Sequence, residues 1–199
     1  MEERVAARLA DAGIDAGPDV LTGCLAYLTL LIRWNLRMNL TALPLIEPIQ
    51  DSTIDKLIVE PLLAADLVPD SFSTWVDLGS GGGSPAIPLR LAHRQGFLRL
   101  VESRERKCAF LREVIRSLEL GHTRVESIRF EALTLERPVD LLTIRAVRLD
   151  AELMQLVSSW LHPAGILVCF GGQVEHPAFS PLAVKTLPDG SFLRTYRRG

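Results

Sequence analysis

Across residues 19–37 the apolar positions Leu21, Cys24, Leu25, Leu28, Leu31 and Ile32 recur every three or four residues, which places them on one face of a helix. Pro18-Asp19 supplies a start signal for it. A second helical stretch is expected over roughly residues 47–67, where Pro48 and Pro61 predict two pieces or a kink at Pro61. The first 70 residues thus read as a helical extension. After Pro69-Asp70 the pattern changes to short apolar runs alternating with amphipathic segments, as in a parallel sheet with crossover helices. Strands are predicted at 74–78, 97–101, 125–128, 139–144 and 166–170, and helices at 85–93, 105–118 and 151–161. Gly121 and Gly165 fall where helix gives way to strand, as C-terminal punctuation would. Runs at 184–187 and 192–196 flank Pro188-Asp189-Gly190, a hairpin signal. The expected fold class is α/β, with a mostly parallel sheet ending in an antiparallel hairpin. Residues 71–199 carry the sheet and residues 1–70 the extension.

With 199 residues, 48% of them hydrophobic, the chain can bury one substantial core. The apolar run 25–32 is interrupted by Thr29 and closed by Arg33, short of the roughly 20 residues that span a bilayer. It reads as core helix, and no membrane partner is expected. Met1-Glu2-Glu3-Arg4 lacks the basic and apolar regions of a secretory signal, so a cytoplasmic address is expected. Cys24, Cys108 and Cys169 are widely spaced among apolar neighbours and read as core residues. His93, His122, His162 and His176 show no ligand spacing, and no metal is expected. The net charge of −2 hides an asymmetry. Residues 1–76 hold 5 Lys+Arg against 11 Asp+Glu, whereas residues 77–199 hold 17 against 13. A basic surface on the second part permits contact with RNA phosphates.

The candidate chemistry lies in Val76-Asp77-Leu78-Gly79-Ser80-Gly81-Gly82-Gly83-Ser84-Pro85, between a predicted strand and a predicted helix. Gly79, Gly81 and Gly83 can take positive φ and let a ligand approach the backbone. Ser84 suits a helix N-cap, and Pro85 the first turn after it. A dinucleotide loop requires G-x-G-x-x-G, but the alternation here is G-x-G-x-G with Ser84 in the last place. Asp77 would repel a pyrophosphate at close range and suits a cofactor with a cationic end, such as the amino-acid moiety of S-adenosylmethionine. Glu102, 19 residues after Gly83, ends the second strand and can accept from both ribose hydroxyls. Neither G-x-S-x-G nor a G-K-[ST] nucleotide loop is present. Methyl transfer and nicotinamide chemistry remain the two readings of the loop itself.

Several further motifs occur in a recognisable order. Trp34-Asn35-Leu36-Arg37-Met38-Asn39-Leu40-Thr41, the loop from Asp77 to Pro85, Glu102-Ser103, the segment from Lys107 to Leu111, Arg129-Phe130-Glu131 and Arg145-Ala146 together resemble the GidB (RsmG) family of 16S ribosomal RNA guanine-N7 methyltransferases. The likeness extends over most of residues 20–172. It implies a Rossmann-like class I methyltransferase fold, S-adenosyl-L-methionine as cofactor, and cofactor contacts at Gly79, Ser84, Phe130, Glu131 and Arg145. It also implies 16S rRNA or the small ribosomal subunit as partner. Strand-end positions agree with this, because open α/β sheets bind ligands at the carboxyl ends of their strands. Arg145 follows a buried run and needs either solvent or an anionic partner, which makes it the foremost functional candidate. Arg129 and Arg145 could grip RNA, with Arg37 and Asn39 as outlying contacts or, for Asn39, a helix cap. Guanine N7 carries an accessible lone pair, so no catalytic acid or base is expected and catalysis rests on positioning. The chain departs from the family pattern at Leu57, Glu60 and Pro61, which stand where members show a histidine and an Asp-Ser pair. Gly171-Gly172 likewise replaces Lys-Gly. A small-molecule methyltransferase, or a non-catalytic cofactor-binding protein associated with the ribosome, is the alternative at this level.

Overall fold

A computed structural model describes residues 1–199. Its centre is a seven-stranded sheet built from β1 (Thr74–Leu78), β2 (Phe97–Glu102), β3 (Thr123–Ser127), β4 (Val139–Arg145), β5 (Leu161–Phe170), β6 (Phe179–Thr186) and β7 (Phe192–Arg198). The spatial order is β3-β2-β1-β4-β5-β7-β6. The first five strands in that order are parallel, and β7 enters antiparallel between β5 and β6. The predicted Rossmann-like sheet with its terminal hairpin is therefore the one observed. The chain reverses direction across the sheet between β1 and β4, and the carboxyl ends of these strands open a crevice there.

Side chains alternate between two cores. Along β1, Trp75 joins a cluster of 33 buried residues on one face, and Val76 joins a cluster of 17 on the other. The larger core is built mainly by α1 (Glu2–Asp11), α2 (Pro18–Asn35), α5 (Ala86–Ala92) and α6 (Glu105–Ser117), together with the helical segment of residues 51–67. The smaller core is covered by α7 (Ala151–Trp160). Asp150 caps α7, its side chain accepting from the Leu153 N–H. No helix is long and apolar enough to cross a membrane.

The departures from expectation have local causes. Helix α1 lies within the expected helical extension, which sets no bounds for it; it buries Val5 and Leu9, one turn apart. Residues 36–50 are turns rather than helix, although this stretch lies inside the expected helical extension. The second helical stretch begins at Asp51, not near 47, and runs through α3 (Asp51–Ile54), a π turn (Asp55–Val59), α4 (Glu60–Leu63) and a 3-10 turn (Ala65–Leu67). It is continuous past Pro61, because the π register places a wide turn before the proline, whose nitrogen has no proton to give. Gly165 lies inside β5, where an added Cβ would stand 2.8 Å from the His162 carbonyl oxygen, so it serves backbone packing rather than helix termination. Near Gly121 the left-handed positions are Glu119 and His122.

Candidate active site

At the carboxyl ends of β1, β2 and β4 lies a cleft of about 420 Å³. Gly79, Ser80, Gly81 and Gly82 form its floor. The loop is fastened at both ends: the amides of Gly79 and Ser80 both donate to the Val101 carbonyl, at 2.9 and 3.0 Å, and the Gly83 amide donates to Ser80 O at 2.7 Å. Gly79, Gly81 and Gly83 all have positive φ, of 69°, 53° and 95°. Their roles nevertheless differ. A Cβ on Gly81 would meet only Gly79 O at 3.6 Å and Lys107 Nζ at 3.8 Å, so this residue faces open space. A Cβ on Gly83 would stand 2.8 Å from Ile87 and 3.3 Å from Tyr27. Gly83 therefore permits the helices to pack beneath the loop and does not line the cleft.

Glu102 closes the β2 side. Its Oε2 accepts from the Gly81 amide at 2.9 Å and its Oε1 from the Arg104 amide at 2.8 Å. Each oxygen retains a lone pair, which leaves a fixed, diol-accepting carboxylate in the cleft lining. Asp77 lies below the floor and not in the lining. Trp75 Nε1 donates to Thr143 Oγ1 at 3.0 Å, and Thr143 Oγ1 donates to Asp77 Oδ1 at 2.5 Å. Asp77 Oδ2 is buried without a partner. Burial pushes this carboxyl up to about 6, against the lowering influence of Thr143, Ser80 and Arg145.

The opposite wall comes from the first 60 residues. Asn35 Oδ1 accepts from the amides of Leu40 and Thr41, at 2.8 and 3.2 Å, and folds the chain back so that both residues line the cleft. Tyr27 Oη donates to Gly82 O at 2.7 Å and ties α2 to the loop. The capping role considered for Asn39 thus belongs to Asn35. Asn39 and Arg37 are both exposed and outside the lining.

Arg145, at the end of β4, is the most heavily engaged side chain of the cleft lining. Its Nη2 donates to Glu60 Oε2 at 2.8 Å, its Nη1 donates to Lys56 O at 2.5 Å and to Ser84 Oγ at 3.1 Å, and its guanidinium stacks 4.3 Å from the Phe170 ring centroid. Burial pushes Arg145 down and Glu60 up, each opposed by the other's charge. Pro61 explains the socket. In the π turn the Glu60 amide bonds to Asp55 O, and the next residue has no proton to offer Lys56 O or Leu57 O. The Lys56 carbonyl is thus free to accept from Arg145 Nη1, and the Leu57 carbonyl from Ser84 Oγ at 3.1 Å. Ser84 is consequently not the N-cap of α5, which begins at Ala86 without a side-chain cap. Lys56 continues the chain of charges, with its Nζ 3.0 Å from Glu60 Oε1 and 2.7 Å from Asp189 Oδ2 at the tip of the β6-β7 hairpin.

Of the residues singled out in the sequence, Gly79, Gly81, Ser84, Glu102 and Arg145 meet in the cleft. Phe130 packs against the smaller core, Glu131 is exposed in the turn after β3, and Arg129 is exposed at its start; none of the three lines the cleft. Lys56 and Arg104, both in the lining, were missed by sequence reasoning, and Lys107, also in the lining, opens a quoted motif without being assigned to the site. Lys107 had a signal, lying one helical turn past Glu102-Ser103 on the helix that flanks the loop.

The family model for GidB, rRNA small subunit methyltransferase G, matches residues 22–181. The ribosomal RNA small subunit methyltransferase G of Xanthomonas euvesicatoria pv. vesicatoria is 38% identical over 160 residues, covering 79% of this chain and 72% of that protein. The protein of that name from Stenotrophomonas maltophilia strain K279a is 36% identical over 176 residues, covering 87% and 78%. Among solved structures, an O-methyltransferase from Bacillus cereus in complex with SAH superimposes with a TM-score of 0.63 at 15% identity, covering 100% of each chain. An RNA methyltransferase from Salinibacter ruber in complex with S-adenosyl-L-homocysteine gives 0.58 at 16% identity, covering 70% of this chain and 88% of that one.

Proposed function

Because this chain belongs to the GidB family of small-subunit ribosomal RNA methyltransferases, we propose that it uses S-adenosyl-L-methionine to methylate N7 of a guanine in 16S rRNA. The observation that carries the reading is Glu102, a carboxylate oriented by two backbone amides at the edge of a glycine floor open at Gly81. The residues fit the cofactor's chemistry. Glu102 accepts from the ribose hydroxyls, Lys107 offers a cation to the carboxylate, and the buried charge of Asp77 favours the ammonium and sulfonium groups electrostatically. When bound, the sulfonium supplies an electrophilic methyl group.

The protein's own part is positional. N7 of guanine is an acceptor on the major-groove edge and needs no base to unmask it. The cleft residues fix the cofactor, and the walls exclude water from the reacting atoms. Arg145 acts as a positioning residue: Glu60, Ser84 and the Lys56 carbonyl hold its guanidinium, which locks the N-terminal wall onto the end of β4. The test is incubation of the protein with labelled S-adenosyl-L-methionine and either small ribosomal subunits or naked 16S rRNA. Label in N7-methylguanine is the expected result, and absence of transfer to both substrates would remove the proposal.

A further inference from the structure

A second pocket of about 500 Å³ adjoins the cleft, sharing Ala146 and Val147 as a common wall. It opens between the carboxyl ends of β4 and β5, with Phe170 on its inner side. Its floor is bare backbone: Gly171 and Gly172 have φ of 79° and 68°, and a Cβ at Gly172 would stand 3.0 Å from Leu149. Arg194 holds that floor from outside, its Nη1 donating to Gly172 O at 2.8 Å. Only two lining side chains carry strong hydrogen-bond donors, Arg148 and Gln173. Both are exposed, neither forms an ion pair or hydrogen bond with another residue, and no carboxylate lines the pocket.

Resting on the methyltransferase reading above, we infer that this pocket receives the target guanine and that Arg148, assisted by Gln173, reads its O6. The Hoogsteen edge of guanine presents two adjacent acceptors, N7 and O6. If N7 is turned toward the shared wall and the cofactor cleft beyond it, O6 falls on the side of the pocket where Arg148 follows Val147. A donor at that point accepts guanine and opposes adenine, whose N6 amino group is itself a donor. The glycine floor lets a flat ring lie against backbone, and the absence of any carboxylate suits an edge made of acceptors. Arg148 is thus a specificity residue that leaves N7 free, while Arg145, three residues earlier, is already committed to Glu60.

The experiment compares 16S rRNA carrying guanine or 2-aminopurine, which keeps N7 but lacks O6, at the position the wild-type protein methylates. Wild type is expected to prefer guanine by ~30-fold in kcat/KM, the scale of one good base contact. Arg148→Ala is expected to lower kcat/KM on guanine by a similar factor and to collapse the preference toward unity. Calorimetry should give an unchanged Kd for S-adenosyl-L-methionine. The Arg148→Ala/Gln173→Ala pair should behave as Arg148→Ala or worse. Full guanine preference retained in the double variant, with wild type active, overturns the O6 assignment alone. No transfer by wild type to any rRNA overturns the underlying reading and this one with it.

Discussion

Arg145 and Arg148 stand three residues apart at the end of one strand, yet they occupy opposite physical regimes. Arg145 is 16% exposed in its side chain, paired with a Glu60 that is 1% exposed, and stacked on Phe170. Arg148 is exposed and bonded to nothing. The first arginine is architecture, and the second is available to a ligand. A guanidinium whose donors are spent on Glu60, Ser84 and the Lys56 carbonyl cannot also grip RNA without giving up the wall it holds.

The largest expected effect comes from breaking the committed arginine. Arg145→Ala leaves Glu60 charged, buried and without its main partner, which should cost about 3–5 kcal/mol of stability. Urea denaturation measures this, and adding Glu60→Gln should recover a large part; a loss below about 1 kcal/mol would show the pair to be only a surface-like contact. Next is Asp77, whose folded value of about 6 lies above the unfolded one near 3.9. The folded state then holds the proton more tightly. The stabilisation this gives is complete below about pH 4 and is lost as pH rises through about 6, on the order of 3 kcal/mol in all. Asp77→Asn does not titrate, so its stability relative to wild type should climb between pH 4 and 6 and then level off. A difference independent of pH would contradict the burial argument.

A smaller effect is expected at Glu102→Ala, which removes two charge-assisted bonds from the loop and the diol acceptor from the cleft. Loss of about 2 kcal/mol in cofactor binding, roughly 30-fold in Kd by calorimetry, is expected. An unchanged Kd would relocate the ribose. Smallest of all is the stability change at Arg148→Ala, expected within about 0.5 kcal/mol in the same urea assay. A larger loss would mean that Arg148 is structural after all and would erase the contrast with Arg145.

The regular parts of this molecule were legible in the sequence because their causes are local. β1 was predicted at its observed bounds, since a buried parallel strand prints a continuous apolar run, and the glycine loop and Glu102 follow from it. What escaped depends on contacts between distant segments. Gly83 looks like its neighbours Gly79 and Gly81, and only the approach of Tyr27 and Ile87 reveals that it serves packing. Ser84 fits a helix cap by position, yet carbonyls 27 and 28 residues earlier take its hydroxyl. Pro61 is readable as an interruption, but its chemical result, one free carbonyl for Arg145 and one for Ser84, requires knowing that a π turn runs from Asp55 to Val59 and what lies opposite it.

The Lys56–Asp189 pair has a consequence in time. Lys56 belongs to the wall formed by residues that precede β1, and its partner sits on the β6-β7 hairpin, made much later. Glu60 likewise waits for Arg145. During translation the glycine loop and Glu102 emerge long before either pairing partner, so the nascent chain carries a cofactor floor without a fastened wall. The wall is therefore fastened only once β4 and the β6-β7 hairpin have been made.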